Sequence, residues 1–313
     1  MSRKRQKSKF VLHLEYLPVL LLYKLVRALP LHTAYGIASA LAKTAYALDR
    51  KHRVRTVEHL LYAKVAHTRA EAVAIGRRCF CEFAKLLVEI FKGDQLIRPD
   101  SITFSGNLEF ARQCGAFGEE GRIHPNIIIV TAHYGNWELA GGFWARHSHT
   151  PMLSVMRPFD NPYIGELILR NRRSPDHELV DKEGGFRAAY KALKHGKSLA
   201  LLVDQHAGHL EGVETTFFGQ ACRTHASAAL LHLRTGVPLV VEVTRRKDDD
   251  FNFEFVVGDP IEYTPTGDQD KDVAAITQQI TTGLEKLIAE CPEQWLWAHR
   301  RWLNIDRKPR REV

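Results

Sequence analysis

The stretch IIIVTAHYGNWELAGG, Ile127–Gly142, decides the fold. Ile127–Val130 is a short run dominated by β-branched residues, which reads as a buried strand. His133-Tyr134-Gly135-Asn136 is turn-like, and Asn136 is suited to cap a helix that starts near Trp137. Strand, turn and helix in that order put a histidine at the carboxyl end of a strand, with Glu138 in the first helical turn. In open α/β sheets ligands collect at that end. Residues five apart on one continuous helix do not share a face, so His133 and Glu138 can meet only because the histidine precedes the helix. A carboxylate on one ring nitrogen fixes the tautomer, stabilises the imidazolium and leaves the other nitrogen as a base. The helix N-terminus favours ionised Glu138 by roughly 0.3–1 kcal/mol. A bare H-x4-E spacing is equally met by two side chains that only satisfy loop backbone groups.

Downstream the pattern alternates strand and helix, which predicts a mixed, mostly parallel central sheet flanked by helices. Strands are expected at Met152–Met156, Glu178–Val180, Ser198–Val203 and Pro238–Thr244, with Phe251–Val257 as an outer strand. Helices are expected at Tyr163–Arg173, Phe186–His195, Ala226–Arg234 and Asp272–Glu290. Upstream, Ala34–Leu48 and Thr68–Lys92 carry helical periodicity, while Gly93–Pro125 reads as loop-rich. Three strands thus deliver His133, Arg157 and Asp204 to their carboxyl ends, as expected of an active-site rim. Arg157 is a permanent cation with planar donors, able to bind a phosphate or to steady a developing oxyanion. Asp204-Gln205 reads either as a substrate contact or as a strand-end cap. Arg223 offers a further anion contact.

The box His133–Glu138, HYGNWE, resembles the H-x4-(D/E) motif of the lysophospholipid acyltransferase superfamily, and within it the late acyltransferases of lipid A biosynthesis (lauroyl and myristoyl transferases). The likeness continues through Arg157-Pro158 with Asn161-Pro162-Tyr163, Gly184-Gly185-Phe186-Arg187, Asp204-Gln205, Phe217-Phe218-Gly219, Pro292–Trp297 and His299–Trp302. It covers the chain from about Glu15 to Trp302. One departure falls in the amino-terminal third, where His59-Leu60 stands at the family's usual Asn-Leu pair. The resemblance implies a glycerolipid acyltransferase-like α/β fold, with His133 and Glu138 catalytic and Arg157, Asp204, Gln205, Asn136 and Arg223 binding substrate. It implies an acyl thioester donor, acyl-ACP or acyl-CoA, and no cofactor or metal. The acceptor would be a membrane glycolipid such as a lipid A precursor, or another lipid (a phosphoglycolipid or lysophospholipid) within the same superfamily.

Composition agrees with a folded enzyme: 313 residues, 45% hydrophobic and 26% charged. The 44 Lys and Arg residues against 36 Asp and Glu leave a formal net charge of +8, which suits an anionic membrane surface or another acidic partner. Nucleic acid is not expected, since no helix-turn-helix, RRM or zinc-finger pattern is present. Five scattered cysteines without a CxxC pair support neither a disulfide framework nor a zinc site. H-x2-H at His206 and His209, and H-x-H at His147 and His149, read as loop histidines rather than metal ligands. Residues 1–9 are basic or polar, and Phe10–Leu31 is apolar but broken by His13, Glu15, Lys24 and Arg27. That run falls short of an uncharged span and lacks a signal-peptide cleavage site; tilted insertion and lying in the interface both stay open. Two units are expected: residues 1–50 as basic terminus and membrane-anchoring helices, and 51–313 as the acyltransferase domain. The expected place is the cytoplasmic face of a bacterial inner membrane. Arg300 and Arg301 read as lipid contacts or as a basic rim, and Trp137 and Trp295 as packing.

Overall fold

A computed structural model describes residues 7–98, 100–169 and 176–303 of the chain. Four helices come first: α1 (Lys9–Ala28), α2 (Leu31–Leu48), α3 (Arg50–Tyr62) and α4 (Arg69–Leu96). Their starts are written locally. The Ser8 and Asp49 side chains cap α1 and α3. At α4 the Thr68 hydroxyl accepts from the Glu71 amide while the Glu71 carboxylate accepts from the His67 amide, a capping-box arrangement.

There follow β1 (Ile102–Gly106), α5 (Leu108–Gln113), β2 (Ile128–Thr131), α6 (Trp137–Ser148), β3 (Met152–Met156), α7 (Pro162–Leu169), β4 (His177–Asp181), α8 (Gly185–Lys194) and β5 (Ser198–Leu202). The hairpin β6 (Gly212–Phe217) and β7 (Gln220–His225), α9 (Ser227–Thr235), β8 (Leu239–Arg246), β9 (Phe253–Pro260) and α10 (Gln269–Glu290) complete the order. Seven strands form one sheet in the order β1-β9-β8-β2-β5-β3-β4. Only β8 and β9 pair antiparallel within it. The mixed, mostly parallel α/β fold is the one expected.

β2 lies at the centre, and its near-continuous apolar sequence follows from cover on both faces. Ile128 and Val130 pack with Leu199, Leu201 and Val241 beneath Ile276, Ile280 and Leu284 of α10. Ile127 and Ile129 point the other way, toward Phe143 and Trp144 of α6. This is the alternation a strand imposes.

The loop-rich Gly93–Pro125 also holds β1 and α5. Three expectations need correction. The strand at 253–260 is not outermost, because β1 covers its edge in parallel register; its buried Phe253 and Phe255 carry the apolar content of a covered strand. The helix expected over Tyr163–Arg173 runs Pro162–Leu169, and residues 170–173 of that expectation lie outside the described residues. Neither α3 nor the β6–β7 hairpin was anticipated.

Two features of the helical layer bear on the site. Glu89 of α4 is fully buried and accepts from Tyr35 Oη (2.8 Å), Asn136 Nδ2 (2.8 Å) and Arg246 Nε and Nη2 (2.5 and 2.9 Å). One carboxylate therefore ties α2, the end of β8 and the turn after β2 together. On α1, Phe10, Leu14, Leu17, Leu21 and Leu25 form an exposed stripe at three- and four-residue steps. The buried Asn161 pins α1 to α7, donating to Leu12 O at 2.8 Å and to Glu15 Oε2 at 3.1 Å. No helix of the described residues is long and apolar enough to cross a membrane.

Glu89→Ala leaves Arg246 short of its buried counter-charge and Asn136 without its acceptor. Denaturant unfolding of this variant is expected to show a loss of about 3–5 kcal/mol, the usual result of breaking a buried ion pair from one side.

Candidate active site

Strand register builds the site. β2 and β5 are parallel neighbours, with Val130 opposite Leu201 and Thr131 opposite Leu202. Two residues further along each chain, His133 and Asp204 come level by the same offset. His133 Nδ1 lies 2.8 Å from Asp204 Oδ1, and the His133 backbone N–H donates to Oδ2 at 2.9 Å. The indole N–H of Trp295 donates to the same Oδ2 at 2.8 Å. Burial opposes ionisation of Asp204, but the His133 charge and these hydrogen bonds outweigh it and hold the carboxyl down at about 2. Asp204 is buried and ionised, so Nδ1 carries the proton it donates to that carboxylate.

The turn between β2 and α6 has little freedom. Gly135 has φ +51°, and a Cβ there would sit 2.0 Å from the Thr244 carbonyl oxygen, so only glycine fits. Gly135 N–H donates to Gln294 O, Asn136 N–H to Thr244 O, and Leu296 N–H to His133 O. The Asn136 side chain caps α6 through the Leu139 amide, as expected. Trp137 leans edge-on against the His133 ring, with centroids 5.1 Å apart.

The candidate residues separate as follows. His133 and Asp204 are brought into contact, with Asp204 on Nδ1 of the ring. Glu138 is half-buried in the first turn of α6. Asn136 is fully buried on Glu89, which takes it out of substrate contact. Arg223 is tied into the β6–β7 hairpin through Nη1 and Nη2, to Gly212 O, His209 O and Glu214. Arg157, at the end of β3, is exposed and has no partner among the described residues. Gln205 lies beside the histidine, its amide nitrogen 3.2 Å from His133 Nε2 and 3.1 Å from His299 Nε2.

The carboxyl-terminal segment supplies what sequence reasoning missed. Arg301 is buried, not on a rim, and donates to Gln205 O (3.0 Å), Arg223 O (3.3 Å) and Thr224 Oγ1 (2.8 Å). His59 at the family departure is buried, with Nδ1 2.9 Å from Trp297 O and its ring edge-on to Trp302. Burial and the neighbouring His133 ring lower the pKa of His299. The ordered motif PEQWLW…HRRW was the one sequence signal for this layer. Among the described residues no three His, Cys, Asp or Glu side chains gather as a metal-holding group.

Beneath the turn is a cavity of about 20 Å³ lined in part by Thr131, Trp137, Ser154, His177 and Glu242, room for about one water molecule. Burial pushes Glu242 up to about 8, only partly offset by the Thr244 and Thr131 hydroxyls. A separate open groove of about 690 Å³, with Phe104, Phe117 and Phe143 on its walls and Arg98 and Arg146 among its lining, lies against the far half of α6. His133 does not line it.

A family model described as bacterial lipid A biosynthesis acyltransferase matches residues 4–304. The chain belongs to that family. It is 26% identical over 291 residues to the lipid A biosynthesis lauroyltransferase of Escherichia coli K12, covering 89% of this chain and 88% of that one. It is also 26% identical over 178 residues to the lipid A biosynthesis palmitoleoyltransferase of the same organism, covering 56% and 55%. A phosphatidylinositol mannoside acyltransferase of Mycolicibacterium smegmatis matches at 24% over 180 residues, 56% of each chain. Membership of the lipid A acyltransferase family makes the protein an acyltransferase, as the motif series implied.

The two unlike carboxyls give a stability test. The folded state raises the Glu242 pKa, so that contribution is full below the usual 4.5 and lost as pH rises toward about 8. Melting curves from pH 5 to 8 should therefore lose less stability in Glu242→Gln than in wild type. Asp204 acts in the opposite sense: its contribution is full above the usual 3.8 and lost as pH falls toward about 2.

Proposed function

We propose that the protein transfers a fatty acyl chain from an acyl thioester, acyl-ACP or acyl-CoA, to a hydroxyl of a membrane glycolipid, a lipid A precursor. The observation that carries this reading is a histidine at a strand's carboxyl end, its Nδ1 held by a buried ionised carboxylate. That pair makes Nε2 a general base without needing a serine or cysteine nucleophile. The acceptor hydroxyl loses its proton to Nε2 as its oxygen attacks the thioester carbon. The tetrahedral oxyanion collapses, the C–S bond breaks, and the imidazolium returns the proton to the departing thiolate. Ester and thiol are the products, and His133 ends as it began.

Asp204 orients the ring, and Glu138, in the first helical turn, adds its negative charge to the stabilisation of the imidazolium. Arg157, unpaired at the end of β3, binds a phosphate of the donor or the acceptor. Long coverage of the lauroyltransferase supports a lipid A precursor over a phosphatidylinositol mannoside, whose acyltransferase matches over a shorter stretch. The exposed stripe of α1 lies in the interface on the cytoplasmic face of the inner membrane. Asn161 links that helix to the segment just after Arg157, which joins the membrane-contacting helix to the strand end at the site. This disposition suits an acceptor whose acyl chains stay in the membrane.

With a lauroyl thioester and vesicles containing a lipid A precursor, His133→Ala and Asp204→Asn should each lower kcat by about 10²–10⁴-fold, the range for removing a base or misorienting it. Glu138→Ala should cost about a hundredfold. Arg157→Lys should raise KM more than it lowers kcat. Wild-type transfer rates in folded His133→Ala would overturn the reading. Leu17→Glu with Leu21→Glu removes two exposed apolar side chains and should weaken binding to anionic vesicles about a hundredfold, at ~1.5 kcal/mol each. Unchanged co-sedimentation would remove α1 from the membrane contact.

A further inference from the structure

We infer that the open groove beside α6 binds a free long-chain fatty acid, at a site separate from the one around His133. Arg146 holds the carboxylate, and an aromatic floor holds the chain. The inference stands apart from the acyl-transfer reading, because it uses none of the residues to which that reading gives a role.

The groove encloses about 690 Å³, within the range of about 300–1,000 Å³ usual for small-molecule sites. β1 supplies Ile102 and Phe104, the second half of α6 supplies Phe143 and Arg146, and the turn after α5 supplies Phe117. Phe104 joins the aromatic side chains together. Its ring centroid lies 5.2 Å from that of Phe117 and 5.4 Å from that of Phe143. The His147 ring packs on Phe143 at 3.8 Å, and its Nδ1 lies 3.1 Å from the Phe143 carbonyl oxygen. Ring against ring, this floor is already built.

Phe117 is the residue that needs an explanation. It is 53% exposed, although burial is where a phenylalanine side chain gains most. Its own turn keeps it there, since Ala116 N–H donates to Ala111 O at 3.0 Å and Gly118 N–H to Gly115 O at 3.1 Å. An aromatic wall fixed in the open beside two further aromatic rings marks a binding surface. A chain of methylenes would cover it.

The charge on the groove has one sign. None of the described residues that line it is Asp or Glu, whereas Arg98, Arg146, His147 and His149 all do. Arg98 already has Asp100 3.5 Å from its Nε. Burial lowers the pKa of His147. Arg146 is exposed and makes no hydrogen bond or ion pair among the described residues. A cation in the last turn of a helix suits the dipole by itself, but the dipole gives no reason for the exposed Phe117. One permanent charge with a planar fork of donors matches one carboxylate. A single chain with that head satisfies both the cation and the aromatic floor.

The test is calorimetric titration of the full chain with monomeric sodium laurate. Decanoate, two methylenes shorter, should bind about tenfold more weakly than laurate. Uncharged 1-decanol should bind about tenfold more weakly than decanoate, for want of the charged hydrogen bond. Arg146→Glu and Phe117→Ser, both at exposed positions, should each weaken laurate about tenfold. Both should melt as wild type does and keep kcat and KM for lauroyl transfer within about threefold. Unchanged laurate affinity in the two folded variants, or 1-decanol bound as tightly as decanoate, would overturn the fatty-acid site. A KM for the lauroyl thioester that rises in step with the laurate Kd would make the groove the donor's chain slot and overturn its separateness. Laurate bound by a wild type without transfer activity would leave this site standing and remove the acyl-transfer reading alone.

Discussion

The site depends on the parallel pairing of β2 with β5. A one-residue slip in that register would turn the side chain after each strand to the opposite face, and Asp204 would no longer meet the imidazole. The slip is prevented by the strands themselves. Ile128, Val130, Leu199 and Leu201 are buried in one cluster with α10, and a shift would carry that whole set to the α6 side. The geometry of the His133–Asp204 pair is thus held by aliphatic packing several residues away. A strand end is a good place for such a pair, because the last ladder bonds fix the backbone while the side chains beyond them face the rim.

The carboxyl-terminal segment finishes what the register starts. Trp295 donates to Asp204, Leu296 to the His133 carbonyl, and Arg301 to the Gln205 carbonyl. Three successive parts of one motif reach three successive parts of the site. The aromatic density has a physical purpose: Trp295, Trp297 and Trp302 pack together with Phe217 and keep water from the Asp204 carboxylate. Arg301 lies over the Phe217 ring at 4.6 Å, so a buried guanidinium meets a π face as well as three acceptors.

The fold and half of the site were legible in the sequence, for reasons that differ residue by residue. Ile127–Val130 and Ser198–Val203 were readable because buried parallel strands are written as short apolar runs, and Asn136 because capping is local. The edge order was not. Phe251–Val257 looks like an outer strand until β1 covers it, and β1 comes from a glycine-bearing stretch with weak periodicity. His133 was readable from its motif, but its carboxylate partner was not. Glu138 is near in sequence, whereas Asp204 is 71 residues away and is chosen by register, which no spacing encodes. Arg301 was misread as a rim residue in the same manner. A basic residue near a site motif suggests an anion, and only the structure shows Arg223 and Arg301 holding backbone carbonyls.

β2 is flanked by two carboxyls in opposite states, and the contrast explains why the charge sits where it does. On the β5 side Asp204 accepts three hydrogen bonds and stays ionised. On the β8 side Glu242 comes level with Thr131, one residue beyond the Val130–Val241 pair; burial outweighs its hydrogen bonds and keeps it neutral up to about 8. Environments that push two like groups apart in pKa assign them different tasks. An ionised Glu242 would put a second negative charge beneath the His133 turn, in a low dielectric where it would be weakly screened. That charge would raise the basicity of His133. A neutral Glu242 leaves Asp204 as the buried negative charge against the imidazole.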